Sequence, residues 1–438
     1  SVKGRLLDNK DEDADDNIEE EILLEDTQLP IPTKNQIESG IKEIQEELLI
    51  PKDKIIQIVE ALASGRHVLL SGPIGTGKTQ LAIKIPNVIW NYSADIHTAT
   101  ADWTTQDVIG GIMPKMGDNN EPVYDIQYGC VVDSILKNWS KGEGEKGRVE
   151  IDDYKGVWTI IDEFNRADID KAVGQLFTSL RTKKMKIPTN KVGIPYEDLK
   201  IPNDYRIIGT LNTADKHWLF KLSDALKSRF AFIEVDIPSK EQKDEEIYYA
   251  MKNAMKELSG HDFDFVSLDE KNKKIAETTL PEFKEMVFDA YNCLDLVRCF
   301  KKLGTAILKL IYQNLLVGMK MKQDPRSILD YSLSTNLISQ LEGLPQAENQ
   351  TISASLKGEI INLFKNKIKS PQDYESYVSS FEKILDYIGL EKKEIYVNNF
   401  SKGNIQDDQW DKIQKLCAEK LTTINTNNFS QVLQELGN

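Results

Sequence analysis

Four residues, Gly72, Gly77, Lys78 and Thr79, stand at the spacing G-x-x-x-x-G-K-[ST] within "VLLSGPIGTGKTQLAIKI" (residues 68–85). A triphosphate packs several negative charges into a small volume and needs many donors around it. Glycines let the backbone wrap the phosphates, and amides of the loop and of the following helix N-terminus supply those donors. The expected nucleotide contacts are Gly72, Pro73, Gly75, Thr76, Gly77, Lys78, Thr79 and Gln80. Lys78 would reach the β- and γ-phosphates, and the Thr79 hydroxyl would hold Mg²⁺. A second stretch, "GVWTIIDEFNRAD", ends a run of apolar residues with Asp162 and Glu163. Asp162 can hold the same Mg²⁺ through its water shell, and Glu163 can orient and deprotonate an attacking water. Two polar residues follow at the edges of later apolar runs. The Asn212 amide can touch both the γ-phosphate and the water, or simply form a turn. Arg229 can reach the γ-phosphate of a neighbouring subunit, or pair with an acid on its own surface.

Those residues need a sheet to carry them. "HVLLSG", "VWTIIDE" (157–163), "YRIIGTLN" (205–212) and, more weakly, "FAFIEVD" (230–236) read as short buried strands with helical stretches between. Such alternation predicts an α/β fold: a parallel sheet flanked by helices, with ligands at the C-terminal ends of the strands. Pro51 suits the first turn of one helix ahead of the sheet and Gly65 its C-terminal cap. The 438 residues are too many for one core, and 40% hydrophobic content is enough to fold most of them. Residues 1–35, with "DNKDEDADDNIEEEILLED", read as an acidic, disordered tail. Residues 36–238 form the α/β domain, 239–345 a helical lid, and 353–438 further C-terminal helices after the polar break "LPQAENQT". Trp410 in that last region reads as core. Four unpaired cysteines and four histidines argue against a disulfide framework or a zinc site and for a reducing, cytoplasmic setting. There is no apolar run long enough for a membrane span. A net charge of −15 excludes general coating of nucleic acid and leaves only local basic patches for polyanions.

The stretches "GPIGTGKT", "IIDEFNRAD", "GTLNTAD" and "LKSRF" occur in the order and spacing of an AAA+ ATPase core. "DEFNRA" and "GTLNTAD…LKSRFAFIEVD" most resemble the MoxR and McrB, or dynein-related, branch, over about residues 45–345. The resemblance implies a P-loop NTPase with Walker A (Lys78, Thr79), Walker B (Asp162, Glu163), sensor 1 (Asn212) and an arginine finger (Arg229). It also implies a second trans-acting candidate at Arg166 and sensor 2 at Arg326 in "QDPRSILDYSLSTNLISQLEGL" (323–344). Arg298 or Arg326 can equally pair with acids of the lid. Segment 102–139 resembles the branch's helix-2 insert, with a hairpin turning at "GDNNEP", and 181–205 its hairpin before sensor 1. The second hairpin is basic, with Arg181, Lys183, Lys184, Lys186 and Lys191. Lys183, Lys184 and Lys186 are candidate pore or client contacts, to a protein or to nucleic acid. The activity implied is a homo-oligomeric, hexameric ring that hydrolyses ATP with Mg²⁺ to remodel or translocate a macromolecule. The alternatives are a McrB-like GTPase of a DNA restriction complex and a nucleotide-gated scaffold with low turnover.

Overall fold

The structure, a computed structural model, describes residues 23–24, 26–116, 122–140, 147–189, 196–212, 224–367, 374–390, 405, 407–424 and 426–436. Its central sheet is built from β2 (His67–Gly72), β3 (Ser93–Thr98), β7 (Val157–Asp162), β10 (Ile207–Asn212) and β11 (Phe230–Glu234). They run parallel in the order β11-β2-β10-β7-β3. Alternate residues of each strand feed opposite faces. Val68, Leu70, Trp158, Ile160 and Ile208 enter one apolar core with helices α1 (Lys34–Ile44), α2 (Lys52–Ala63) and α3 (Lys78–Ile85). Leu69, Ile161, Ile207 and Leu211 enter another, covered by α4 (Thr105–Val108), α5 (Cys130–Leu136), α6 (Ile169–Thr182) and α7 (Asp224–Arg229). Burial on both faces explains why four strands read as unbroken apolar runs. The fifth, "SADIHT", is a half-exposed edge strand of mixed polarity, and the sequence reading passed over it.

Two hairpins leave the sheet where the sequence places them. β4 (Gly110–Met116) pairs antiparallel with β5 (Pro122–Tyr128), and β8 (Lys184–Pro188) with β9 (Tyr196–Lys200). The Tyr128 hydroxyl donates to the Pro188 carbonyl at 3.4 Å, which ties the two hairpins together. The first turn, residues 117–121, lies outside the described residues, as does Lys191.

Three expectations need correction. The tail does not run free to residue 35. β1 (Leu23–Leu24) pairs with β6 (Arg148–Val149), Asp26 bonds Lys200 at 2.6 Å, Leu29 is buried, and Trp90 Nε1 donates to the Pro30 carbonyl. Residues 1–22 lie outside the described residues. The lid is not all helix: β12 (Val266–Asp269) and β13 (Lys274–Thr278) form a hairpin whose turn is held by the Asn272 amide on Asp269 Oδ1. Nor is 345–352 a break between domains. It opens α12 (Gln346–Leu356), whose Asn349, Thr351, Ser353 and Ser355 are buried. The three hydroxyls are satisfied locally or on the last helix: Thr351 Oγ1 donates to the Ala347 carbonyl, Ser355 Oγ to that of Thr351, and Ser353 Oγ to that of Ser430. Lid and C-terminal helices therefore share one core. It runs from α8 (Lys243–Glu257), α9 (Pro281–Arg298), α10 (Thr305–Lys320) and α11 (Pro325–Leu341) through α12 and α13 (Ile360–Lys367). It then continues through α14 (Tyr374–Tyr387) and α15 (Asp407–Lys420) to α16 (Asn427–Glu435). Trp410 is buried in it beside Phe381.

A buried ion pair locks the edge of the α/β domain. Arg148, 1% exposed, forks onto both oxygens of Asp204 at 2.9 and 2.7 Å, and its other arm reaches the carbonyl and side-chain oxygens of Asn138. The Tyr92 hydroxyl donates to the same carboxylate. Arg148→Met leaves that carboxylate buried and unpaired, so we expect unfolding stability to fall by about 3 kcal/mol or more, read as a lowered urea midpoint.

Candidate functional site

The glycine loop leaves β2 at Gly72 and enters α3 at Lys78. Gly75 (φ +78°) and Gly77 (φ +83°) occupy the left-handed region that only glycine adopts without strain. A Cβ at Gly72 would lie 2.0 Å from the Val235 carbonyl oxygen. Thr76 Oγ1 donates to the Pro73 carbonyl at 3.1 Å, and Lys78 Nζ reaches the Gly72 and Pro73 carbonyls at 3.0 and 2.6 Å. Burial lowers the Lys78 pKa to about 8, against the opposing pull of Glu163 and Asp162. A phosphate favours the ammonium form, so triphosphate affinity should fall as pH rises through about 8. Calorimetry at about pH 9, in buffers of different ionisation heat, should register uptake of up to one proton.

The acidic pair lies beside the loop, at the C-terminal edge of β7. Thr79 Oγ1 donates to Asp162 Oδ1 at 2.7 Å, and Thr210 donates to the same oxygen. Hydroxyl and carboxylate oxygens are the hard donors Mg²⁺ takes, so this donor set fits that ion. Glu163 sits in the left-handed region at φ +54° and accepts from Asn212 Nδ2 at 2.6 Å. Its other oxygen faces Arg166 Nε at 3.5 Å, so in one subunit Arg166 pairs with its own Glu163. The Asn212 backbone N–H donates to Asn165 Oδ1 at 3.3 Å. Thr210 was missed by the sequence reading, although it stands in the quoted "GTLN" as a hydroxyl inside an apolar strand.

Beyond the loop opens a cavity of about 390 Å³ between the glycine loop, the Glu47–Leu49 segment and the lid. Gln80 lines it, with Asn253, Lys256 and Glu257 from α8 and Thr305 and Lys309 from α10. The lid touches the loop through its backbone: the amides of Gly304 and Ala306 donate to the Ile74 and Gly75 carbonyls at 2.8 and 3.0 Å. This overturns the expectation for Arg326. That residue stands in the first turn of α11, behind its Asp324 cap, and is not among the lining residues; α10 is the helix that meets the loop. Arg298 is engaged elsewhere, in a buried fork on Glu246 at 2.9 and 2.6 Å. A Cβ on Gly304 would fall 2.2 Å from Gly75 backbone atoms. Gly304→Val should therefore push lid and loop apart and weaken nucleotide binding about tenfold, measurable by titration, with the helical content unchanged.

The remaining candidates lie away from the loop. Arg229 ends α7 just before Phe230, which pairs with His67 at the start of β2. The six-residue length of β2, about 17 Å, separates that end of the sheet from the glycine loop. Lys184 and Lys186 are exposed on β8 opposite Lys200 and Asp198. Lys183 is different: half-buried at the hairpin base, with its pKa lowered to about 8 by burial and then by Arg206. It is a poorer client contact than its neighbours.

Residues 67–230 match the family of AAA domains of the dynein-related subfamily. A stretch of 216 residues is 26% identical to the type IV methyl-directed restriction enzyme EcoKMcrB subunit of Escherichia coli (strain K12), over 47% of this chain and 43% of that protein. The chain thus matches less than half the length of that relative. Among solved structures, NtrX from Brucella abortus aligns over 87% of this chain and 72% of its own, at 13% identity and a TM-score of 0.39. Its complex with ADP aligns at the same identity and score over 87% and 70%.

Proposed function

We propose, from the match of residues 67–230 to the dynein-related AAA family and the likeness to the McrB subunit, that the chain is a ring-forming AAA+ motor of the MoxR/McrB type, hydrolysing a purine triphosphate to remodel a bound macromolecule. The observation that carries this reading is the pair of bonds Thr79–Asp162 and Asn212–Glu163 on one sheet edge, beside the glycine loop. In this reading the loop amides and Lys78 hold the phosphates, Thr79 and Asp162 would hold Mg²⁺, and Glu163 takes a proton from water as its oxygen bonds the γ-phosphorus and the bond to the β–γ bridging oxygen breaks, releasing nucleoside diphosphate and phosphate. Bound Mg²⁺ would neutralise charge on the phosphate oxygens. Asn212 shares its amide between Glu163 and the γ-phosphate. A strand's length from its own loop, Arg229 would serve a neighbour, which is why a ring, expected to be hexameric, is required. ATP is the expected substrate. GTP is the alternative that the likeness to the McrB subunit supports.

The hairpins support a polypeptide client. Ile112, Pro114 and Met116 of β4 face Ile126, Tyr124 and Pro122 of β5 in register, so one face is wholly apolar. Ile112, Met116 and Tyr124 are 60%, 64% and 75% exposed. Exposed Lys184 and Lys186 on the adjoining hairpin favour a segment that carries acids as well. A nucleic-acid client is the alternative, to be separated by comparing how each stimulates turnover.

Glu163→Gln should retain nucleotide affinity while turnover drops about a hundredfold or more. Arg229→Ala should bind nucleotide normally and lose about a thousandfold in the assembled protein, with activity partly restored by mixing it with Glu163→Gln subunits. Full turnover by assembled Arg229→Ala protein would exclude the shared site.

A further inference from the structure

Thr210 is buried (3% exposed) in β10, between β2 and β7, and it joins two groups that the reaction needs at once. The Glu163 backbone amide donates to Thr210 Oγ1 at 3.2 Å. An amide can only donate, so the single hydroxyl hydrogen must go to the other partner, Asp162 Oδ1, which can only accept while ionised. Thr79 brings a second hydroxyl to that same oxygen at 2.7 Å. Two donors on one carboxylate oxygen fix its rotation, and the amide bond holds the left-handed turn at Glu163, a conformation that costs a non-glycine residue free energy. Two residues on, and therefore on the same side of the strand, Asn212 holds the Glu163 side chain at 2.6 Å.

We propose that Thr210 is a positioning residue that sets the metal-holding carboxylate and the water-orienting carboxylate in one fixed relation. Its hydroxyl is taken up by Asp162 and the Glu163 amide, and it acts through them. The proposal rests on the hydrolytic reading above. It makes β10 a clamp: Thr210 holds Asp162 and the backbone of Glu163, while Asn212 holds the Glu163 side chain.

Thr210→Val keeps the shape and strand preference and removes only the hydroxyl, whereas Thr210→Ser keeps the hydroxyl. In the full chain, Thr210→Val should lower kcat about tenfold, the scale of one charge-assisted hydrogen bond. Calorimetric binding of ATP and GTP across a Mg²⁺ series should show the half-saturating Mg²⁺ concentration rising several-fold. Affinity in the presence of a chelator should stay within about twofold, and Thr210→Ser should return both quantities to near wild type. Wild-type Mg²⁺ dependence in Thr210→Val would overturn the proposal. So would equal losses of chelator-phase affinity and melting temperature that serine fails to rescue, since those mark packing alone. If the wild-type chain binds Mg²⁺-nucleotide without turning it over, the hydrolytic reading falls, and the Mg²⁺ series still decides the role of Thr210.

Discussion

The carboxylate of Asp162 accepts hydroxyl hydrogen bonds from Thr79, 83 residues before it, and from Thr210, 48 residues after. Three separate strand ends and the start of a helix must arrive together for that to happen. The parallel registers ensure it: Gly209 lies against both Leu69 and Ile161, so Asp162, the last residue of β7, comes level with Thr210 near the ends of β10 and β2. A slip of one residue would turn every side chain to the other face, separating the hydroxyls from the carboxylate and the apolar residues from both cores. Packing of the sheet and chemistry of its edge are thus the same constraint.

A second dependence runs from the loop to the lid. Glycine at 304 brings the backbone of α10 against the backbone of Gly75, and the buried fork of Arg298 on Glu246 stands directly behind that contact. Thr305 adds a hydrogen bond to the same carboxylate. Anything that shifts the loop therefore presses on a charged pair that cannot be separated cheaply. The lid in turn shares its core with α12 to α16. A displacement at the glycine loop is carried by one packed body rather than absorbed at a linker near residue 350.

The candidate residues that the fold brings together are those whose chemistry is written in adjacent positions. The glycine loop needs its amides, Lys78 and Thr79 within eight positions, and Asp162 and Glu163 are neighbours. Strands buried on both faces must be apolar throughout, which made four of five visible without a structure. What escaped was of another kind. β3 is half-exposed, α12 hides its hydroxyls by bonding them to its own carbonyls and to Ser430 of α16, and the Leu23–Leu24 strand pairs with Arg148–Val149 far along the chain. None of these shows as an unbroken run of apolar residues.

The arginines draw the same line. Arg326 follows a letter pattern that belongs to a nucleotide-facing helix, yet α10 occupies that place and presents backbone amides instead. Arg298 found Glu246, Arg166 found Glu163, and Arg229 lies at the far end of the sheet from its own loop. A residue's type and spacing determine what chemistry it can perform, and here they determined a glycine loop with Lys78 and Thr79 and an acidic strand end suited to stand beside it. Which partner a long, flexible cation meets depends on how segments pack, across 52 residues for Arg298 and Glu246, and only the folded chain could decide that.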